Sequence, residues 1–269
     1  WCKGASKLNR IIISPLNNRF IFKDDKFLLG KSDEKSDNFD VLYFIRRDIE
    51  EVIIPSNIKI IPPFAFSNFQ NLQKITFSPN SNLQVISRIA FSDLKNIKGI
   101  NIPASVVKIG TYAFANCKNL QKVEIPTNSN LQNIKYCAFG STNIKSIYIP
   151  ASVIKIGPYA FQYCKNLQKV EIPTNSKLKV IERKAFMFSK IKTIFIPAGV
   201  TIISKEAFNN CECLQKIDIP LNSCLQKIEE AAFSRLKINK IFIPSSVSVI
   251  EQDAFYCCFN LQRVEIHSN

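Results

Sequence analysis

From about Glu51 onward one short phrase, IxIPxxxxxxIxxxAFxxCxxLxx, recurs along the chain. The residue that closes each IxI triplet falls at Pro55, Ser78, Pro103, Pro126, Pro150, Pro173, Pro197, Pro220 and Pro244, and in a final copy at His267. The steps between them are 23, 25, 23, 24, 23, 24, 23, 24 and 23 residues. A period of roughly 20 to 29 residues, with Leu or Ile at fixed offsets, marks a leucine-rich-repeat solenoid. One copy is too short to bury its own apolar face, so the copies must stack and share a core. The expected fold class is an α/β-type repeat solenoid, mostly β, with a single parallel sheet of short strands. Residues 51–269 form the array, as nine units plus a final strand.

Two unit types alternate. Residues 150–172, PASVIKIGPYAFQYCKNLQKVEI, show the shorter one, and residues 126–149, PTNSNLQNIKYCAFGSTNIKSIYI, the longer one. In each IxI triplet both apolar residues should point inward and the middle one outward, as strand geometry requires. The Pro that follows has no N–H and ends the strand. The Ala-Phe pair should place one Phe per unit, from Phe66 to Phe255, in a buried spine. The stretch around it, as in GPYAFQYC, is expected to make a short helical turn. Upstream, SVIKI reads as a second, shorter extended piece.

Residues 1–50 differ and are assigned to capping, because a solenoid end exposes its core. RFIFKDDKFLLG, residues 19–30, suggests two strands around a Lys-Asp-Asp turn, and Phe44 and Ile49 match the Phe and Leu/Ile offsets of a degenerate unit. The chain begins at Trp1 and stops just after the strand 264–266, which suggests a fragment cut within or at the end of the array.

IPASVVKIGTYAFANCKNLQKVEIP and its copies resemble the BspA-like leucine-rich repeats of bacterial and protist surface proteins. The phrase KFLLGKSDEKSDNFDVLYFIRRDIEEVIIPSNIKIIPPFAF resembles the trichomonad-type protist branch. The resemblance implies a cell-surface or secreted protein in adhesion and host-protein binding, with no catalytic residue and no cofactor. A cytoplasmic scaffold using the same face is the alternative.

Four of the nine cysteines, Cys117, Cys164, Cys211 and Cys258, recur 47 residues apart. Two strand spacings, about 10 Å, separate them, beyond the roughly 7 Å between Cα atoms that a disulfide tolerates. They are expected to form a buried ladder of free thiols. The pairs Cys211/Cys213 and Cys257/Cys258 do not supply the four ligands of a structural zinc site. The acidic loop with Asp33, Glu34, Asp37 and Asp40 has interleaved Lys and no Gly at the turn, unlike an EF-hand loop. His267 is the single histidine, which leaves no Cys-His or Ser-His-Asp set. The formal charge of +15 is spread through every repeat, without a nucleic-acid-binding motif. It favours anionic partners generally, so an acidic glycan held by basic edges is a further alternative. No apolar run is long enough to span a membrane.

The candidate binding site is the outward row of the sheet. From Glu124 it alternates acid and aromatic: Glu124, Tyr148, Glu171, Phe195, Asp218, Phe242, Glu265. Two residues earlier stand Lys122, Lys169, Lys216 and Arg263, on the same strands as the acids. Aromatics flanked by charge pairs are what a protein-binding surface favours.

Overall fold

The structure, a computed structural model, describes residue 8 and residues 10–266. Trp1 and His267, and with it the tenth closing position, lie outside the described residues.

The IxI copies stack in chain order. Strands Gly99–Asn101, Lys122–Glu124, Ser146–Tyr148, Lys169–Glu171, Thr193–Phe195 and Lys216–Asp218 form a six-stranded parallel ladder. Parallel pairs Glu51–Ile54 with Lys74–Phe77, and Lys240–Ile243 with Arg263–Ile266, continue it at either end. Within the six-stranded stretch the strands sit one residue earlier than the triplets, because the Pro closing most copies cannot donate to the ladder. The burial alternation is the expected one: Val123, Ile147 and Ile194 are buried between outward neighbours.

The SVIKI pieces build a second ladder. Two-residue strands from Ile60–Ile61 to Val249–Ile250 pair in parallel, one per coil. The N-terminal region joins this ladder. Strands β1 (Phe20–Lys23) and β2 (Phe27–Gly30) form an antiparallel hairpin. Asp24 and Asp25 turn it with φ of 52° and 49°, as a tight right-twisted hairpin needs. Strand β3 (Val41–Ile45) pairs antiparallel with β2 and parallel with Ile60. The hairpin thereby covers the first coil. Phe44, matched to the spine by spacing, lies within β3, and the Arg47 guanidinium sits 5.7 Å over its ring.

The expected helical turn is absent: no helix occurs among the described residues. Its place is taken by consecutive β-turns. Around Phe114, the N–H groups of Ala113, Ala115 and Cys117 bond three residues back, to Gly110, Tyr112 and Phe114. Tyr112 and Asn116 adopt φ of 56° and 61°, and every unit repeats this pair of left-handed residues. The physical reason lies in the intervening donors. Tyr112, Phe114 and Asn116 give their N–H groups to the carbonyls of Tyr136, Ala138 and Gly140 in the next coil, at 2.9, 2.7 and 2.9 Å. A helix would turn those donors back on itself and leave the neighbouring coil unpaired.

Between the two ladders and the turn arc runs the core. Phe66 to Phe233 are at most 1 % exposed. Successive rings lie 4.9 to 5.7 Å apart, most within 20° of parallel. Such ring pairs contribute about 0.5 to 1.5 kcal/mol each beyond area burial. Phe255 and Cys258, in the last described coil, are only half-buried, and Val264 and Ile266 are exposed.

Candidate functional site

The row read from the sequence lies on one side of the first ladder. Register places Tyr148 opposite Glu171, Phe195 opposite Asp218 and Phe242 opposite Glu265. In each case the aromatic strand belongs to a longer unit and the acidic strand to the shorter unit after it. Those strand pairs share three or four registered residues, whereas Lys122↔Ser146 and Lys169↔Thr193 are single bridges between successive pairs. The face is thus a series of two-coil modules, each an aromatic beside an acid.

Each acid is tied to the base two residues before it. Lys122 pairs with Glu124, and Lys169–Glu171, Lys216–Asp218 and Arg263–Glu265 pair at 2.8 Å. All four pairs are solvent-exposed, so each contributes roughly 0 to 1 kcal/mol to stability. Their larger effect is to fix charge positions between the rings.

The aromatics are less open than the sequence implied. Tyr148, Phe195 and Phe242 are half-buried, and Phe242 packs partly against the core. The reason is the module itself: a ring registered beside its neighbour is partly covered by it. What remains is shallow. A depression of about 580 Å³ is lined by Lys122, Glu124, Tyr148 and Glu171, among others. A smaller one of about 310 Å³ adjoins Tyr148, Glu171, Phe195 and Asp218. Such contours suit the side chains of a macromolecular partner better than an enclosed small ligand.

The cysteine ladder faces the core. Cys117, Cys164, Cys211 and Cys258 are free thiols that donate to the carbonyls of Phe91, Phe139, Phe186 and Phe233 at 3.0, 3.2, 3.1 and 3.0 Å. Among the described residues no group of three or more His, Cys, Asp or Glu is placed to hold a metal. Asp40 accepts from the Ser32 N–H and hydroxyl and pairs with Lys59 at 3.0 Å.

A second aromatic row escaped the sequence reading. On the turn arc Tyr112, Tyr136 and Tyr159 follow one another at 5.2 and 5.0 Å between centroids, with the Arg183 guanidinium over Tyr159. Tyr112 and Tyr159 stand two residues before the spine Phe and Tyr136 three, so no fixed offset reveals the row.

Coils of this length, with one inward Leu/Ile set, a parallel ladder and an ordered outer face, define a leucine-rich-repeat protein. The BspA type leucine rich repeat region (6 copies) matches residues 40–168, 84–214 and 179–269, and the chain belongs to that family. Among solved structures it is similar to a leucine-rich repeat protein from Bacteroides ovatus, at 21 % identity over 94 % of this chain and 88 % of that one (TM-score 0.50). It is also similar to the pneumococcal vaccine antigen PcpA, at 24 % identity over 82 % of this chain (TM-score 0.50). A T. pallidum leucine-rich repeat protein aligns at 20 % identity over 79 % of this chain and 87 % of that one (TM-score 0.51). At these identities the likeness concerns the fold. The chain spans 62 % of the PcpA chain. No curated protein matches the sequence.

Proposed function

We propose that this chain is a non-enzymatic recognition module that binds a protein partner through the sheet face, at the cell surface or secreted. The observation that carries the reading is the registered pairing of Tyr148, Phe195 and Phe242 with Glu171, Asp218 and Glu265. Three rings, each beside a carboxylate that is itself held by a base, recur about 10 Å apart. Rings of this kind anchor interfaces, while the ion pairs around them set register and exclude mismatched charge. Family membership and the likeness to a vaccine antigen support adhesion and surface exposure. The likeness of the cap sequence to the trichomonad branch points to a host protein as the partner.

The test compares the protein with a Tyr148→Ala, Phe195→Ala, Phe242→Ala triple variant. Both are used to capture proteins from host extracellular-matrix extract and from lysate of the source cell. A matrix protein retained by the parent and weakened by about 2 kcal/mol or more in the variant is the expected result for a hot spot. Unchanged affinity with an intact melting transition moves the site off this face. Capture only from the lysate gives the scaffold reading.

A further inference from the structure

The leading edge of the same sheet carries another ordered row. The N–H groups of Gln121, Lys145, Gln168, Lys192 and Gln215 bond to the carbonyls of Lys98, Gln121, Lys145, Gln168 and Lys192, at 2.9 to 3.2 Å. These residues therefore stand in single file, one coil apart, about 4.8 Å. Immediately before them the side-chain amides of Asn119 and Asn143 donate to the carbonyls of Lys95 and Lys118. Those bonds hold a second lysine-bearing row against the first.

Charge on this edge is unbalanced. Residues 94–99, 117–122, 141–146, 164–169 and 188–193 build it over five coils and contain no Asp or Glu. Lys122 and Lys169 are engaged by Glu124 and Glu171. Lys98, Lys118, Lys145, Lys165, Lys190 and Lys192 are all exposed, and among the described residues none pairs with a carboxylate. Away from this face, by contrast, several cations are matched: Lys184 with Glu206 at 3.3 Å, Lys205 with Glu230 at 2.5 Å and Lys227 with Glu251 at 2.6 Å. Unpaired like charges held in line destabilise the free protein and are relieved by a line of opposite charge.

We propose that this edge binds a linear anionic polysaccharide, laid along the coils. One sugar residue of an extended chain advances by about one coil, so carboxylate or sulphate groups meet lysines in step. Gln121 and Gln168, between the lysines of the first row, offer amide donors to hydroxyls. Nucleic acid fits less well. Single strands are held by a run of aromatic platforms, one per base, whereas one isolated ring pair, Tyr163 on Phe188, lies beside this edge of five coils. Duplex phosphates recur on each strand about every 3.4 Å of helix axis, out of step with the coils. This site is independent of the aromatic row.

The experiment titrates the full chain with a sulphated dextran oligosaccharide of defined length, and separately with oligo-dT of equal charge. A Lys98→Glu, Lys145→Glu, Lys192→Glu variant reverses the edge. A Lys108→Glu, Lys177→Glu, Lys179→Glu variant makes the same change in net charge elsewhere. The parent should bind the dextran with an affinity that falls steeply with salt. The edge variant should lose about tenfold or more, through like-charge repulsion, and the control should keep most of it. Equal loss in both variants reduces the effect to net charge and overturns the site, as does absence of dextran binding. Tighter binding of oligo-dT, lost in the same variant, overturns the polysaccharide assignment. Melting curves check both variants, and a Lys→Gln set at the same positions replaces any that unfolds.

Discussion

The Cys164 thiol donates to the carbonyl oxygen of Phe139, one coil back, at 3.2 Å. The same carbonyl accepts the Thr142 hydroxyl at 2.8 Å, and Thr142 Oγ1 lies 3.3 Å from Cys164 Sγ. Ser189 stands likewise 3.2 Å from Cys211. Small weak donors thus alternate with hydroxyls down the core, beside the spine carbonyls. Burial pushes the thiols of Cys117, Cys164 and Cys211 up to about 12.

These three thiols should react with an aromatic disulfide reagent only as fast as the protein opens, while exposed Cys224 reacts at once. Their ionisation also predicts an alkaline effect. The folded value lies above the ordinary value of 9.0, so the proton is held more tightly in the folded state. That stabilisation is complete below about pH 9 and is lost as pH rises toward about 12. Denaturant melts across this range should show it, and Ser at all three positions should flatten the slope.

Cys164→Leu should overpack the coil and cost about 1 to 3 kcal/mol. Phe161→Ala, in the middle of the spine, should cost about 3 to 5 kcal/mol. Equilibrium denaturation of each variant checks both, and a Leu variant as stable as the parent would mean the ladder has spare volume.

Backbone geometry gives a pair of opposite expectations. Ile89 is β-branched yet sits at φ 59°, a conformation that costs L-residues about 1 to 2 kcal/mol. Ile89→Asn should therefore raise stability by about 1 kcal/mol, offset in part by the apolar burial of the half-buried Ile side chain that Asn gives up. A Cβ on Gly110 would come within 2.7 Å of the Ser87 carbonyl carbon. Gly110→Ala should lower stability by about 1 to 3 kcal/mol, since backbone has to move. Thermal melts of the two variants beside the parent read both signs.

Asp40 governs the acid limit of the cap. Burial by itself would raise its pKa, but hydrogen bonds from Ser32 and the pairing with Lys59 outweigh this and hold it below the usual value. A depressed carboxylate stabilises the fold above its unfolded pKa and loses that contribution as pH falls through the folded value. Asp40→Asn should weaken the hairpin cap at neutral pH and make its unfolding less acid-sensitive. Amide exchange of β1 and β2 at neutral and acid pH reads this directly.

Period and inward pattern made the coil stack, the Phe spine and the thiol ladder legible, because each is a fixed offset within the repeat. The placement of each base two residues before its acid on one strand followed from the same offsets. What misled was propensity: GPYAFQYC has helical spacing, and only the stacking of the next coil redirects its N–H groups. The half-burial of Tyr148, Phe195 and Phe242 depended on which neighbouring strand each registers with, and the alternating unit lengths conceal that. The tyrosine row failed to appear because Tyr136 is displaced by one residue from Tyr112 and Tyr159.

On the turn arc N–H groups point toward the C-terminal neighbour, as Phe114 to Ala138; along the second ladder they point the other way, as Gly110 to Ile86. An α-helix aligns its peptide dipoles and accumulates charge at its ends. Here the two arcs oppose and largely cancel. Duplicating a 47-residue pair of coils therefore adds length without building up a backbone dipole at the ends, so gene duplication can set the reach of the face.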